Sequence, residues 1–193
     1  MRKGTLICAT ALSAILMSFK TTDSATWSVD KSHAKLGFSI THLMVSDVEG
    51  SFKKFDATIT STKEDFSDAS VVMTAEIASV NTENEGRDKH LVSPDFFDAA
   101  KFPTMTYKST SFKKVGDKKY TVNGNLTLHG VTKPVVLTAI CNTGVNPMSK
   151  KTIAGFKISG VIKRTDFALS PSTPEAMLSD EVTIVANAEF AKN

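Results

Sequence analysis

The ten residues from 33 to 42 read HAKLGFSITH, and they decide the fold class. Apolar side chains occupy every second position of this stretch, namely Ala34, Leu36, Phe38 and Ile40. A period of two is typical of a β-strand with one buried face, because successive side chains point to opposite sides of the sheet. The stretch therefore predicts one strand of a sheet that covers an apolar interior.

The same alternation recurs in seven further segments, at about residues 48–60, 70–80, 105–114, 118–129, 134–142, 153–164 and 181–190. Short turns at Gly116 and Gly130 join consecutive segments, which indicates antiparallel hairpins. Eight antiparallel strands can form a sandwich or a barrel, but only closure removes every exposed strand edge. We therefore expect an all-β fold, an eight-stranded antiparallel barrel.

One segment, residues 82–100, has the signals of a short helix. Ser93, Pro94 and Asp95 supply an N-cap, a proline for the first helical position and an acid for the first turn. Phe96 and Phe97 follow directly. We expect a short helical segment whose two aromatic rings close one end of the barrel.

The first 25 residues have the layout of a secretory signal peptide. Arg2 and Lys3 precede an apolar run over residues 6–19, and a polar stretch follows it. This run is shorter than the roughly 18 residues that a membrane-spanning helix needs, so removal is favoured over a retained anchor. We therefore divide the chain into a signal peptide, residues 1–25, and one domain, residues 26–193, and expect export.

The balance of charge argues against a nucleic-acid partner. Without residues 1–25 the 23 basic and 20 acidic residues of the chain fall to 20 and 19. A phosphate backbone is bound by clustered lysine and arginine, which this nearly neutral domain does not supply.

The sequence also carries no recognisable catalytic or phosphate-binding motif. It contains no G-x-S-x-G elbow, zinc motif, phosphate loop or dinucleotide fingerprint. Cys141 is the only cysteine after residue 25, so the domain cannot form an internal disulfide, and no base lies near it in sequence. We expect a binding protein; an enzyme would require His33, Asp88 and His90 to meet at the barrel mouth.

The strands place mostly apolar side chains on the inner face of the barrel. These are Leu36, Phe38, Ile40, Met44, Phe52, Phe55, Ile59, Met73, Ile77, Met105, Tyr107, Val122, Leu126, Ala154, Phe156 and Ile158. Alternation reports burial and not empty space, so they either fill the interior or line a cavity for an apolar ligand.

Several polar side chains are candidates for a ligand head group or for structural hydrogen bonds. His33 and His42 have opposite parity on one strand, so a shared metal is not expected, and His42 continues the face of Phe38. Asp30 precedes that strand. Arg87 is the natural donor to a quinone carbonyl or a pyrophosphate, or else holds the helical segment.

Two further polar groups allow the same alternatives. His90 follows Arg87 and Asp88 in the helical segment. Arg164 shares the parity of Phe156 and Ile158, and an inward arginine must be paired or must face a polar ligand end. Asp166 is its nearest partner in sequence.

Four blocks of the chain resemble the YceI-like family, lipocalin-like proteins whose members bind polyisoprenoids. They are Trp27-Ser-Val-Asp30-Lys-Ser-His33 with Phe38-Ser-Ile-Thr-His42 and Gly50-Ser-Phe52; residues 81–91 (NTENEGRDKHL) with Phe96-Phe97-Asp98 and Phe102-Pro103; residues 120–132 (YTVNGNLTLHGVT); and Gly160-Val-Ile-Lys-Arg164-Thr-Asp166-Phe167. Together the blocks cover almost all of the chain after the signal segment, in order.

The resemblance implies a lipocalin-like barrel closed by helical segments, a periplasmic location and a pore for an isoprenoid lipid or quinone. It favours a ligand-bearing interior, with a filled, stress-related interaction module as the alternative, and it implies no cofactor besides that lipid. A transient contact with a membrane or membrane protein, and a homodimer, stay open. The expected ligand contacts are Leu36, Phe38, Ile40, His42, Met44, Phe52, Phe55, Arg87, His90, Phe96, Phe97, Met105, Phe156, Ile158 and Arg164.

Overall fold

The computed structural model describes residues 23–193. Residues 1–22, which hold nearly all of the expected signal peptide, lie outside this range. In the described part no helix is both long and apolar enough to cross a membrane.

Ten strands and one α-helix make up the described chain. The strands are β1 (Ala25–His42), β2 (Ser46–Phe52), β3 (Phe55–Ser61), β4 (Ser70–Glu76), β5 (Val80–Asn81), β6 (Thr104–Gly116), β7 (Lys119–Leu128), β8 (Val131–Val145), β9 (Thr152–Lys163) and β10 (Leu178–Lys192). The helix α1 spans Glu85–Leu91, and single 3-10 turns occur at Ile77–Ser79 and Thr165–Phe167.

Eight of the strands close into a ring, which confirms the expected all-β antiparallel barrel. Its order is β1-β3-β4-β6-β7-β8-β9-β10, and β10 pairs with β1 to close it. The expected strand over residues 48–60 is broken at Lys53 and Lys54 into β2 and β3. These two pair with opposite halves of the long strand β1, and the short β5 pairs with β2.

The helix lies within the expected segment, but its expected start at Ser93 is wrong. The N-cap is Asn84, whose side chain accepts a hydrogen bond from the Arg87 backbone N–H at 2.9 Å. Ser93 lies beyond the end of α1 and instead donates its Oγ–H to the His90 carbonyl at 2.7 Å. Asn84 and Glu85 offer the same kind of capping signals as Ser93 and Asp95. The hydrogen bonds from Thr82 to the Asp88 carboxylate favour the helix that begins after Asn84.

One end of the barrel interior is filled by aromatic side chains. The loop between β3 and β4 turns inward and places Phe66, 1% exposed, beneath the strands. Its ring centroid lies 5.0 Å from that of Trp27 and 5.3 Å from that of Phe156. The Tyr120 hydroxyl donates to the Asp65 carbonyl at 2.7 Å and fastens this loop. The barrel is therefore closed at this end.

The opposite end carries four connections, as the alternation of antiparallel strands requires. They are the β1–β2 turn, residues 82–103 with α1, the β7–β8 turn, and residues 165–178, which follow β9, end on the first residue of β10 and are here called the cover loop. We call this end the mouth of the barrel.

Candidate ligand cavity

A cavity of about 690 Å³ occupies the half of the barrel nearer the mouth. This volume lies within the range of roughly 300–1,000 Å³ that is usual for small-molecule sites. Most of the wall is apolar, and strands β1, β2, β4, β6, β7, β9 and β10 all contribute to it. Exposed lining residues such as His42 and Met177 show that the cavity reaches solvent at the mouth. The interior is thus filled at one end and hollow at the other.

Most of the expected ligand contacts line this cavity. They are Leu36, Phe38, Ile40, His42, Phe52, Arg87, His90, Phe96, Phe97, Met105 and Arg164. The aromatic rings form a connected group, since the ring centroid of Phe52 lies 5.9 Å from that of Phe38 and 6.1 Å from that of Phe97. Aromatic and aliphatic side chains therefore surround the space, with the polar groups near the mouth.

Four of the expected contacts lie elsewhere. Met44 is 77% exposed at the tip of the β1–β2 turn, where a backbone φ of +57° turns it out of the strand pattern. Phe55 follows the break at Lys53 and Lys54 and lines a separate polar groove. Phe156 belongs to the filled aromatic end, and Ile158 packs against the core without reaching the cavity. Strand parity cannot separate the filled end from the hollow one.

The cavity also uses residues that the sequence did not single out. Val182 and Ile184 of β10 alternate with exposed residues, so the pattern of this strand could have identified them. Leu169, Pro171, Met177 and Leu178 come from the cover loop or its junction with β10, where no periodic signal exists. Their position depends on how this loop folds over the mouth.

The cover loop is held by Arg164, which is 2% exposed. Its guanidinium donates five hydrogen bonds, all to backbone carbonyls: Ser179 (3.1 Å), Leu169 (3.1 Å), Ser170, Thr173 (2.6 Å) and Leu178 (3.2 Å). A guanidinium has five N–H donors, so every one is used. The prediction that Asp166 pairs with Arg164 is wrong, because backbone carbonyls accept all five hydrogen bonds and stabilise the buried charge. Arg164 leaves a positive charge at the cavity wall but no donor for a ligand.

Arg87 and Asp88 fasten α1 through Thr82. The Arg87 guanidinium donates to the Thr82 hydroxyl and to the Thr82 carbonyl, both at 2.8 Å. The Asp88 carboxylate accepts from the Thr82 backbone N–H at 2.8 Å and from its hydroxyl at 2.6 Å. Within residues 23–193 the Arg87 side chain makes only these two bonds, so further N–H groups remain beside the cavity it lines.

His90 and Asp95 lie at the rim of the mouth. The His90 Nε2 atom is 3.7 Å from an Asp95 carboxylate oxygen, and the imidazole packs edge-on against Phe96 at a ring distance of 5.0 Å. Both polar side chains are exposed and line the cavity. They form a polar rim above an apolar wall.

His33 and Asp30 lie outside the cavity lining. The His33 Nδ1 atom is 3.0 Å from an Asp30 carboxylate oxygen, where the pairing of β1 with β10 is interrupted. Asp88 does not line the cavity either, because Thr82 engages its carboxylate. The structure therefore does not bring His33, Asp88 and His90 together in the cavity.

One glycine shapes the cavity wall. Gly50 of β2 pairs with Phe38 of β1, and the Phe38 ring lies directly over it. A Cβ atom at Gly50 would come within 2.3 Å of the Phe38 Cζ atom. Any larger residue would push this ring, so Gly50 fixes the shape of the cavity beside Phe52.

Known proteins that are similar to this chain include the following three. The UPF0312 protein of Photorhabdus laumondii is 41% identical over 185 residues, which are 92% of this chain and 95% of the relative. The crystal structure of the YceI protein from Campylobacter jejuni superposes with a TM-score of 0.73 at 36% identity, covering 79% of this chain and 90% of that one. A polyisoprenoid binding domain from Saccharophagus degradans shares the fold, with a TM-score of 0.62 at 17% identity over 86% and 98% of the two chains.

A family model supports the same assignment. The YceI-like domain matches residues 27–190, from Trp27 at the filled end of the barrel to Phe190 near the end of β10. This range includes the whole of the cavity wall and every strand of the ring, apart from the first two residues of β1 and the last two of β10. Because the match runs through the complete barrel and is joined by 41% identity to a relative across 92% of the chain, the protein belongs to the YceI-like family.

Proposed function

We propose that the protein binds one isoprenoid lipid, of the polyisoprenoid or quinone type, and serves as its periplasmic carrier or reservoir. The observation that carries this proposal is the apolar cavity of about 690 Å³ between the filled end and the mouth. Burial of apolar surface contributes about 25 cal/mol per Å², so a greasy wall supplies affinity without specific polar contacts. The fold shared with the polyisoprenoid binding domain from Saccharophagus degradans supports this ligand class.

The alternative of a filled barrel fits only the aromatic end. Trp27, Phe66 and Phe156 pack against one another there, whereas Leu36, Leu126 and Ile184 line open space. The hydrocarbon tail would occupy this space and stop at the aromatic group. We therefore place the tail deep in the barrel and the polar head at the mouth.

The head group would meet Arg87 and His90 at the mouth. Arg87 retains guanidinium N–H groups beyond the two that bind Thr82, and these can donate to a carbonyl or phosphate oxygen. Arg164 contributes only its charge, since its donors are occupied by the cover loop. Arg87→Met removes the guanidinium, and it is expected to weaken the binding of a ligand with an oxygen-bearing head more than the binding of a plain prenyl hydrocarbon.

The test is recovery of bound lipid. The protein would be produced in a bacterial host from its full sequence of 193 residues, purified without detergent, extracted with organic solvent and analysed by mass spectrometry. Uptake of added ubiquinone would be measured by native mass spectrometry. An isoprenoid in the extract, or stoichiometric uptake, is expected. The proposal would be refuted if the extract contained no lipid and the protein took up no ubiquinone.

A matched pair of variants separates cavity binding from general damage to the barrel. Ile184 lines the cavity, whereas Ile158 on the adjacent strand does not, and both are half-buried. Ile184→Asn places an amide that ligand binding must desolvate, at about 1–3 kcal/mol, or roughly a five- to hundredfold loss of affinity. Ile158→Asn is expected to retain ligand. Equal retention by the two variants would place the lipid outside this cavity.

A further inference from the structure

The seam that closes the barrel carries three potential metal ligands away from the cavity. Strand β1 pairs with β10, but the register is interrupted between Val29 and Ala34. Val29 pairs with Phe190 and Ala34 with Ala188, so residues 30–33 bulge out opposite Glu189. This bulge brings Asp30 and His33 beside Glu189, and the ligand atoms of the three side chains lie within 4.8 Å of one another.

The geometry of the three groups suits a bound cation. The His33 Nδ1 and Asp30 Oδ2 atoms are 3.0 Å apart. Two ligands of one zinc ion, each at about 2.0–2.1 Å from it, can be separated by such a distance. The Ser32 backbone N–H and hydroxyl donate to the other Asp30 oxygen at 2.9 and 2.6 Å, which orients the carboxylate toward His33.

The charges of the cluster are not balanced by basic side chains. Within residues 23–193, neither Asp30 nor Glu189 has a lysine or arginine nitrogen within 4.0 Å. In the described part of the chain the cluster therefore brings two carboxylates and one imidazole together without a lysine or arginine that would compete with a bound cation.

We propose that Asp30, His33 and Glu189 form a divalent metal site, with Zn²⁺ as the preferred ion, that links the β1 bulge to β10. One imidazole nitrogen and two carboxylate oxygens are ligands that zinc accepts, whereas calcium and magnesium prefer oxygen ligands alone. The exposed side of His33 leaves room for water to complete the coordination. The ion would bridge two strands at the point where their ladder of backbone hydrogen bonds is interrupted.

The test is zinc titration of the protein purified without a histidine tag. Isothermal titration calorimetry is expected to show one Zn²⁺ bound per chain. Zinc should also raise the melting temperature, and a chelator should return it to the value of the metal-free protein. His33→Asn and Glu189→Gln each remove one ligand at a site with an exposed or half-buried side chain. Each is expected to weaken binding by more than the ~10-fold caused by loss of an outer-shell partner.

The matched control is His90→Asn. His90 is also exposed and lies 3.7 Å from the carboxylate of Asp95, but the three-ligand cluster does not include it. This variant should bind zinc as the unchanged protein does. Absence of stoichiometric binding would overturn the proposal, and so would unchanged affinity in both His33→Asn and Glu189→Gln with circular dichroism showing folded protein.

Discussion

Replacing Arg164 with methionine is expected to loosen the cover loop and destabilise the whole domain. Methionine is close in length to the apolar stem of arginine but offers no N–H donor. The five carbonyls that Arg164 now serves, between Leu169 and Ser179, would lose their partner together. Because one side chain holds several points of a 14-residue loop, the change removes the main internal tie of the mouth.

The magnitude follows from the number of hydrogen bonds and their burial. A hydrogen bond contributes about 1 kcal/mol net, and one from a charged donor contributes about 1.5–3 kcal/mol. The sum over five such bonds is larger than the loss of stability that we expect, for two reasons. Water can reach some of the carbonyls when the loop opens, and the substitution also removes a charge that is costly to bury. We therefore expect a loss of about 3–5 kcal/mol in the free energy of unfolding.

The assay is urea unfolding followed by the fluorescence of Trp27, the single tryptophan of the chain. Trp27 is buried at the filled end, so its signal reports global unfolding and not local opening of the mouth. Limited proteolysis would then test whether cleavage concentrates in residues 165–178.

Two control variants define the outcome for Arg164. Lys163→Met removes a neighbouring exposed charge and should change stability by less than about 0.5 kcal/mol. Arg164→Lys keeps the charge but not the five-donor geometry, and it should fall between the two. A loss below about 1 kcal/mol for Arg164→Met, with no added cleavage in the cover loop, would refute the assigned role.

Three further predictions concern the β1–β2 turn, the loss of stability in acid and the buried thiol of Cys141. Met44 has a φ of +57°, so Met44→Gly should raise the free energy of unfolding by about 0.5–1 kcal/mol, as measured by urea unfolding. Val45 has no positive φ, so Val45→Gly should not raise it; a loss of stability in both variants would contradict this prediction. Hydrogen bonds from Ser61 and Thr62 lower the pKa of Asp68, so the stability it contributes is present above pH 3.8 and is lost below it. Asp68→Asn should be less stable at neutral pH, with a difference that narrows in acid; a constant difference would count against it. Burial raises the pKa of Cys141 to about 11, so a thiol reagent at pH 8 should react slowly until urea is added, and equal rates would refute the assignment.

The strand pattern predicted the barrel because alternation is a local property. Phe38 and Ile40 alternate with polar residues, and that period specifies a strand and its inner face without knowledge of its neighbours. The same pattern could not locate the break at Lys53 and Lys54, which arises because β1 pairs with β2 along one half and with β3 along the other. Pairing of distant segments is not written in any single window of sequence.

The start of α1 and the partners of Arg164 also depend on contacts that the sequence does not reveal. Asn84 and Ser93 both carry capping signals, and the contacts of Arg87 and Asp88 with Thr82 favour the first. Arg164 is inward by parity, but its partners are backbone carbonyls up to 15 residues away, which no sequence spacing suggests. Asp166, the near partner in sequence, is not used.

The sequence by itself determined the fold class, the inner faces of the strands and the family, because each depends on residue identity and period along the chain. Only the tertiary structure decided that Phe66 and Phe156 fill one end while Phe38 and Ile184 surround space at the other. The reason is that alternation predicts which side chains are buried, whereas the enclosed volume depends on where strands from the whole chain meet.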